Sequence, residues 1–132
     1  MAYLKPGAFI KHVFNPLAKR FGISGAQELV VKRRQSGQDQ SIPVVPIEHG
    51  GERYIVSVRG EADWVRNMRA AGGGELRSKS GSERFAAAEV PVAERGPIIA
   101  AYREANGRGV KGYWDKLPDD ADHPVFRVAS NP

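Results

Sequence analysis

The sequence contains no cysteine among its 132 residues. This absence excludes a disulfide framework, a thiolate metal site and a cysteine nucleophile. Its three histidines, His12, His49 and His123, are widely separated and lack the spacing of metal ligands, so we predict no metal site. No apolar run approaches the roughly 20 residues that span a bilayer, and the N-terminus lacks the apolar region of a signal peptide. We therefore expect a cytoplasmic protein.

The composition is that of an ordinary globular protein, with 41% hydrophobic and 27% charged residues. A chain of 132 residues is long enough for one domain with a single core. The formal net charge of +5 indicates an anionic partner, which is a nucleic acid, a membrane surface or a phosphorylated small molecule. Basic residues are spread along the chain and are not interleaved with aromatic ones, so we expect no nucleic-acid partner.

The stretch at 53–72 has the clearest local pattern. Alternating apolar residues at 54–58 predict a strand, which ends at Arg59 and Gly60. Trp64, Val65 and Met68 then lie on one face of a predicted helix over 62–71. A strand, a glycine turn and a helix N-terminus together direct several backbone N–H groups towards one point, which suits an anion such as a phosphate.

Residues 1–24 are predicted to form an amphipathic helical segment that precedes the main domain at 25–132. Within it, residues 8–21 carry apolar side chains at helical spacing and basic residues on the other face. Asn15-Pro16 predicts two short helices, because asparagine caps helix N-termini and proline suits the first helical position. The apolar face either covers the core or lies on a membrane surface, and both interpretations stay open.

The remaining patterns predict an α+β architecture. Strands are expected at 28–34, 41–49, 52–58, 75–79, 83–92 and 123–129, the first three as an antiparallel meander. Pro43 and Pro46 favour a second strand that lies at an edge, is bulged or lies beside a ligand. A further helix is expected from Pro97 to Asn106, and an irregular segment over 107–123. Six strands with helices between them fit a small antiparallel barrel with packed helices.

The residues at 34–44, 57–67 and 123–127 resemble the deazaflavin-dependent nitroreductase family, which are small split-barrel reductases that use coenzyme F420. The resemblance covers roughly residues 14–129, and its most specific part is Arg59-Gly60 followed by Trp64 and Asn67. It implies a six-stranded antiparallel split β-barrel of the FMN-binding type, with the cofactor in a groove. Related split-barrel families bind FMN or haem, so the fold alone does not fix the cofactor.

The resemblance implies a cofactor site between the 34–40 turn and the Arg59-Gly60 turn. The cofactor-binding residues that it implies are Arg34, Gln35, Ser36, Gly37, Gln40, Ile42, Pro43, Val44, Ser57, Val58, Arg59, Gly60, Trp64 and Asn67. For Trp64 a place in the core is an equal alternative, and for Asn67 a structural hydrogen bond is the stronger one. Gln35 and Gln40 stand where the family usually has cations. Losing two charge-assisted contacts costs about 2–4 kcal/mol unless other donors replace them.

The implied reaction is hydride transfer from reduced F420 to a hydrophobic, electron-poor acceptor, which is a quinone, an activated alkene or a nitroaromatic. Tyr102 and Tyr113 are candidate proton donors in the acceptor pocket and Trp114 is a candidate wall, with ordinary core packing as the alternative for all three. The competing hypothesis is a split barrel that binds FMN, haem or a lipid without F420 chemistry. We expect a monomer or homodimer, either free in the cytoplasm or peripheral at the inner membrane face.

Overall fold

The computed structural model describes residues 26–130, without the side chain of Ser130. The predicted helical segment at 1–24 lies outside the described residues. The described chain contains seven strands and three α-helices, with single 3₁₀ turns at Val92–Glu94 and Asp120–Asp122. In order these are β1 (Gln27–Lys32), β2 (Asp39–Val44), β3 (Ile47–His49), β4 (Glu52–Val56), α1 (Asp63–Ala71), β5 (Gly73–Ser78), β6 (Gly81–Glu89), α2 (Arg95–Asn106), α3 (Arg108–Lys116) and β7 (Val125–Ser130).

All seven strands belong to one antiparallel sheet in the order β2-β1-β5-β6-β7-β4-β3. The two edge strands, β2 and β3, are joined by Val45 and Pro46 alone. Three Cα–Cα steps of 3.8 Å span at most about 11 Å, so the two edges of the sheet must lie close together. The sheet therefore curls into the predicted split β-barrel, and the α+β class is confirmed.

The structure corrects two details of the predicted strands. The run at 41–49 forms two strands instead of one, because the chain turns from one sheet edge to the other at Val45-Pro46. Both antiparallel pairings of the predicted meander are present, β1 with β2 and β3 with β4. The meander itself is not continuous, because β2 and β3 lie at opposite edges of the sheet. The predicted Gly50-Gly51 hairpin is confirmed, and both glycines have the positive φ that a tight two-residue turn requires.

The sheet is covered on both faces, so neighbouring residues of one strand enter different hydrophobic clusters. In β4, Ile55 belongs to a cluster beneath α1, whereas Val56 belongs to a cluster beneath α2 and α3. The first cluster contains Leu29, Val31, Leu76, Phe85, Phe126 and Val128 from the sheet, with Trp64, Val65 and Met68 from α1. The second contains Ile47, Val90 and Val125, with Ile98, Ile99, Tyr102, Val110 and Trp114.

The segment at 107–123 is ordered, contrary to the prediction of an irregular region. It contains α3, in which Val110 and Trp114 are buried one turn apart. Two glycines within α3 lower the intrinsic helix propensity of this helix. Burial of one apolar stripe against α2 and the sheet outweighs that propensity.

Candidate functional site

The first group of predicted site residues is held together by hydrogen bonds centred on Asn67 of α1. The Asn67 Oδ1 atom accepts from the backbone N of Arg34 at 3.1 Å and from Arg34 Nη1 at 2.8 Å. The Asn67 Nδ2 atom donates to Gln40 Oε1 at 2.7 Å. Asn67 is buried, so the structural role expected for it is present. The helix thereby holds the turn after β1 and the start of β2 side by side.

The turn between β1 and β2 is exposed and is held by its own hydrogen bonds. Gly37 has a φ of 75° and donates its N–H to the Arg33 carbonyl oxygen at 2.9 Å. The Ser36 hydroxyl oxygen accepts from the backbone N of Gln38 at 3.2 Å. Gln35, between these contacts, is exposed. The turn therefore presents polar groups to solvent next to the Arg34 guanidinium.

The N-terminus of α1 is less suited to an anion than the sequence pattern indicates. Its capping position, Ala62, provides no side-chain hydrogen bond, and the first helical residue is Asp63. The Asp63 carboxylate lies 3.9 Å from Arg34 Nη2 and 4.0 Å from Arg66 Nη1. A negative side chain in the first turn already interacts with the helix dipole and competes with a bound anion. Attraction for an anion here therefore depends on the arginine side chains more than on the helix N-terminus.

The second predicted turn, Ser57 to Gly60, is held by hydrogen bonds, and its first and last residues are buried. The Ser57 hydroxyl donates to the Gly60 carbonyl oxygen at 2.6 Å, and the Ser57 backbone N donates to the Pro124 carbonyl oxygen at 2.9 Å. Gly60 adopts a φ of 83°, which a residue with a side chain rarely takes. Val58 packs against the second hydrophobic cluster. This turn therefore fixes the position from which the Arg59 side chain extends.

Arg59 lies against Tyr113 of α3. Its Nη2 atom donates to the Tyr113 hydroxyl oxygen at 3.3 Å, and its guanidinium carbon lies 5.4 Å from the centre of the tyrosine ring. Burial raises the pKa of the Tyr113 hydroxyl, and the nearby positive charge of Arg59 acts in the opposite direction. Tyr113 is partly exposed and contacts a cation, so it stays a candidate proton donor.

Tyr102 and Trp114 belong to the core instead of lining a described cavity. They are 6% and 2% exposed, and their ring centres lie 6.1 Å apart. Complete burial raises the pKa of the Tyr102 hydroxyl far above its usual range. Their burial favours the core-packing alternative for both residues over the roles of proton donor and pocket wall. Trp64 is also a core residue, with its ring centre 6.0 Å from that of Phe126.

The remaining predicted residues lie along β2. Ile42 and Val44 are partly buried and pack against the first cluster, while Pro43 lies opposite Glu28 in the ladder. Because β2 is an edge strand, Pro43 fits the predicted position for a residue without an N–H group. These side chains lie on the same element as Gln40, beside the Asn67 hydrogen bonds.

His123 has a structural role that the sequence did not predict, since it appears there only as the first residue of the last predicted strand and of the 123–127 stretch. It is fully buried, with Nδ1 2.9 Å from the Ser57 carbonyl oxygen and Nε2 2.7 Å from the Leu117 carbonyl oxygen. Its ring stacks on Trp114 with a centre-to-centre distance of 4.1 Å. His123 thus ties the turn before Arg59 to the end of α3, through contacts that no local sequence signal reveals.

Two described cavities include none of these predicted site residues in their linings. One, of about 380 Å³, is lined mainly by β1, β5 and β6 around Gly72–Gly74. The other, of about 400 Å³, lies between the sheet and the start of α2 and includes His49, Tyr54 and Arg127. Within residues 26–130 there is no group of side chains able to hold a metal ion, and no helix there is long and apolar enough to span a membrane.

No protein-family model matches the sequence, and no curated protein matches it significantly. Solved structures do resemble the fold. An F420-H2 dependent reductase (FDR-A) has a TM-score of 0.61 at 21% identity, over 80% of this chain and 94% of its own. HutZ, a haem storage protein from Vibrio cholerae, has a TM-score of 0.61 at 13% identity, over 89% of each chain. A domain-swapped dimer has a TM-score of 0.59 at 15% identity, over 94% of this chain and 99% of its own.

These similarities confirm the predicted split-barrel fold, which is shared with an F420-dependent reductase. At identities of 13–21% they establish the fold alone. Of the proteins with this fold, one is an F420-H2 dependent reductase and another is a haem storage protein. The chemistry of this chain must therefore be argued from its own side chains.

Proposed function

We propose that this protein is an F420-dependent oxidoreductase that transfers a hydride from the reduced deazaflavin to a hydrophobic, electron-poor acceptor. The observation that carries the proposal is the match to an F420-H2 dependent reductase along 94% of that chain. The acceptor would be a quinone, an activated alkene or a nitroaromatic. F420 supplies the hydride chemistry when it is bound, and the protein supplies orientation, charge and exclusion of water.

The residues of this chain fit the anionic part of such a cofactor on one side of the barrel. Arg34 and Gln40 are held beside each other by their hydrogen bonds to Asn67. The exposed 34–38 turn adds backbone and hydroxyl groups next to them. Arginine is suited to phosphate because its planar guanidinium offers several N–H donors. Asp63 reduces the local positive charge, so binding depends on directed hydrogen bonds as well as on charge.

Arg59 and Tyr113 form a second group that suits the reacting end of the cofactor or its acceptor. A partly exposed tyrosine hydroxyl beside a guanidinium is able to donate a proton to an oxygen or carbon that becomes negative during reduction. Arg59 also provides a positive charge for an acceptor oxygen. In this assignment Arg59 and Tyr113 act on the acceptor, and Arg34 and Gln40 act on the phosphate.

A titration of F420 into the full chain, followed by its fluorescence, tests this function. We expect a saturable change with wild-type protein and a roughly tenfold or larger loss of affinity for Arg34→Ala, since a charge-assisted hydrogen bond to phosphate is removed. Arg84→Ala is the matched control, because Arg84 lies on β6 outside the predicted site. No binding of micromolar F420, together with binding of FMN or haem, would overturn the cofactor assignment.

Haem binding is the second candidate function, favoured by the similarity to the haem storage protein HutZ. Among the described histidines, His123 has both ring nitrogens against carbonyl oxygens and is unavailable as an iron ligand. His49, exposed at the β3–β4 turn, is the described histidine that an iron atom is able to reach. An absorption titration with haemin, repeated with His49→Ala, tests this candidate. A Soret band that forms with the wild-type protein but not with the variant would support haem binding. A haemin spectrum that the wild-type protein leaves unchanged would exclude it.

The proposed assembly is a monomer or homodimer. The structural match that is a domain-swapped dimer supports the dimer. Light scattering on the purified chain distinguishes the two states. Contact with the inner face of the membrane through residues 8–21 stays a prediction, which a vesicle co-sedimentation assay tests.

A further inference from the structure

The hydrogen bonds around Asn67 determine which way its carboxamide points. The two groups that face one of its atoms are the backbone N–H of Arg34 and the Arg34 guanidinium, at 3.1 Å and 2.8 Å. Both groups only donate hydrogen bonds, so the atom between them must be the oxygen, Oδ1. The other atom is therefore Nδ2, which only donates. The donors around this amide therefore fix its orientation.

The orientation of Asn67 in turn determines that of Gln40. The Gln40 atom 2.7 Å from Asn67 Nδ2 must accept a hydrogen bond, so it is Oε1. The Gln40 Nε2 atom, with two N–H groups, then points away from Asn67. Within residues 26–130 no acceptor is seen on that nitrogen. Gln40 thus presents a donor, and Arg34 presents further N–H groups beside it.

We propose that Asn67 is a positioning residue that makes Gln40 an obligate hydrogen-bond donor beside Arg34, so that the pair binds a phosphate group. The inference rests on the proposed function for the nature of the ligand, a phosphate-bearing cofactor. Gln40 is the residue that stands where the resembling family has an arginine. A carboxamide free to rotate would present its oxygen to an anion part of the time, whereas a carboxamide fixed by Asn67 presents N–H groups alone.

The first experiment follows the Gln40 side-chain amide directly. Inorganic pyrophosphate is titrated into uniformly ¹⁵N-labelled full-length protein, and the side-chain NH₂ signals are recorded by NMR. We expect the Gln40 NH₂ signals to shift in a saturable manner. Gln27, on β1 away from the turn, is the internal control and should stay unchanged. Absence of a saturable shift at Gln40 in folded protein would overturn the proposal.

The second experiment is a double-mutant cycle with Asn67→Asp and Gln40→Ala, read as pyrophosphate affinity. In Asn67→Asp the new carboxylate still accepts from Arg34, but its other oxygen needs a donor. Gln40 must then turn its NH₂ group inward and its oxygen towards the anion. In the wild-type background, Gln40→Ala should weaken binding about tenfold, through loss of one hydrogen bond to a charged group. In the Asn67→Asp background, Gln40→Ala should leave affinity unchanged or improve it.

The sign of the Gln40→Ala effect separates positioning from simple charge. The extra negative charge of Asn67→Asp weakens anion binding whatever Gln40 does, so that loss alone carries no information. If Gln40→Ala weakened binding by the same factor in both backgrounds, Asn67 would not position Gln40 and the proposal would fail. If Asn67→Asp did not fold, an absent Gln40 shift in the wild-type NMR titration would still overturn the proposal.

An F420 titration run in parallel distinguishes failure of this inference from failure of the proposed function. Saturable Gln40 shifts with pyrophosphate but no F420 binding would uphold the phosphate site and reject the cofactor. F420 binding with no response of Gln40 in either experiment would uphold the cofactor and reject the role of Asn67.

Discussion

Replacement of His123 by alanine should strongly destabilise the fold, although the sequence predicts no structural role for this residue. The ring is fully buried, stacks on Trp114 at 4.1 Å, and lies within 2.9 Å of two carbonyl oxygens. Loss of the ring leaves a cavity, which costs about 2–3 kcal/mol by comparison with other buried large-to-small changes. A buried carbonyl oxygen left without its donor lowers the stability by about 1–3 kcal/mol more.

The total of about 3–6 kcal/mol is a large part of the roughly 5–15 kcal/mol by which a domain is stable. Urea unfolding followed by tryptophan fluorescence measures it, and Trp114 makes the signal sensitive to this region. His123→Phe separates the two contributions, because it keeps a ring against Trp114 but donates no hydrogen bond. We expect it to be less destabilising than His123→Ala but still to cost about 1–3 kcal/mol.

His49→Ala is the matched control, since His49 is exposed at a hairpin and should change the free energy of unfolding by less than about 0.5 kcal/mol. The reasoning would be refuted if His123→Ala cost less than about 1 kcal/mol. It would also be refuted if His123→Phe were as stable as the wild type, because the carbonyl contacts would then contribute nothing.

Two further predictions concern stability. Hydrogen bonds from Arg69 at 2.7 Å lower the pKa of Glu89 in the folded protein. The ionised Glu89 therefore stabilises the fold at pH values above its unfolded-state pKa, and this contribution is lost as the pH falls through its folded-state pKa. Glu89→Gln should therefore lower the free energy of unfolding by about 1 kcal/mol at pH 7, after allowance for partial exposure, and by almost nothing near pH 2. Urea unfolding at the two pH values measures this, and an equal loss at both would contradict the reasoning. Gly74→Ala should destabilise the fold by about 1–3 kcal/mol, because a Cβ would lie 2.7 Å from the Val30 carbonyl oxygen. Gly112→Ala is the control, since a Cβ there meets open space and should be neutral or stabilising. Thermal melts compare the two variants, and similar melting temperatures would contradict this reasoning.

The sequence determined the features that depend on residues close together in the chain. Helix α1 follows from the spacing of Trp64, Val65 and Met68, and the β3–β4 hairpin follows from Gly50-Gly51, because both signals are local. The α+β class and a small antiparallel barrel were also predictable, since the order of strands and helices constrains how their apolar faces can be buried. The split-barrel form was implied by the family resemblance. Pro43 was correctly placed on an edge strand.

The tertiary structure decided the features that join distant parts of the chain. Burial of Val110 and Trp114 makes a helix of a stretch with low helix propensity, and the turn at Val45-Pro46 places β2 and β3 at opposite edges of the curled sheet. Asn67 meets residues 27 and 33 positions away, and His123 meets the Ser57 carbonyl oxygen across 66 positions. Each polar contact exists because packing brings two groups together and burial requires them to be paired. Sequence alone supplies the side chains for such contacts, but only the folded chain selects their partners.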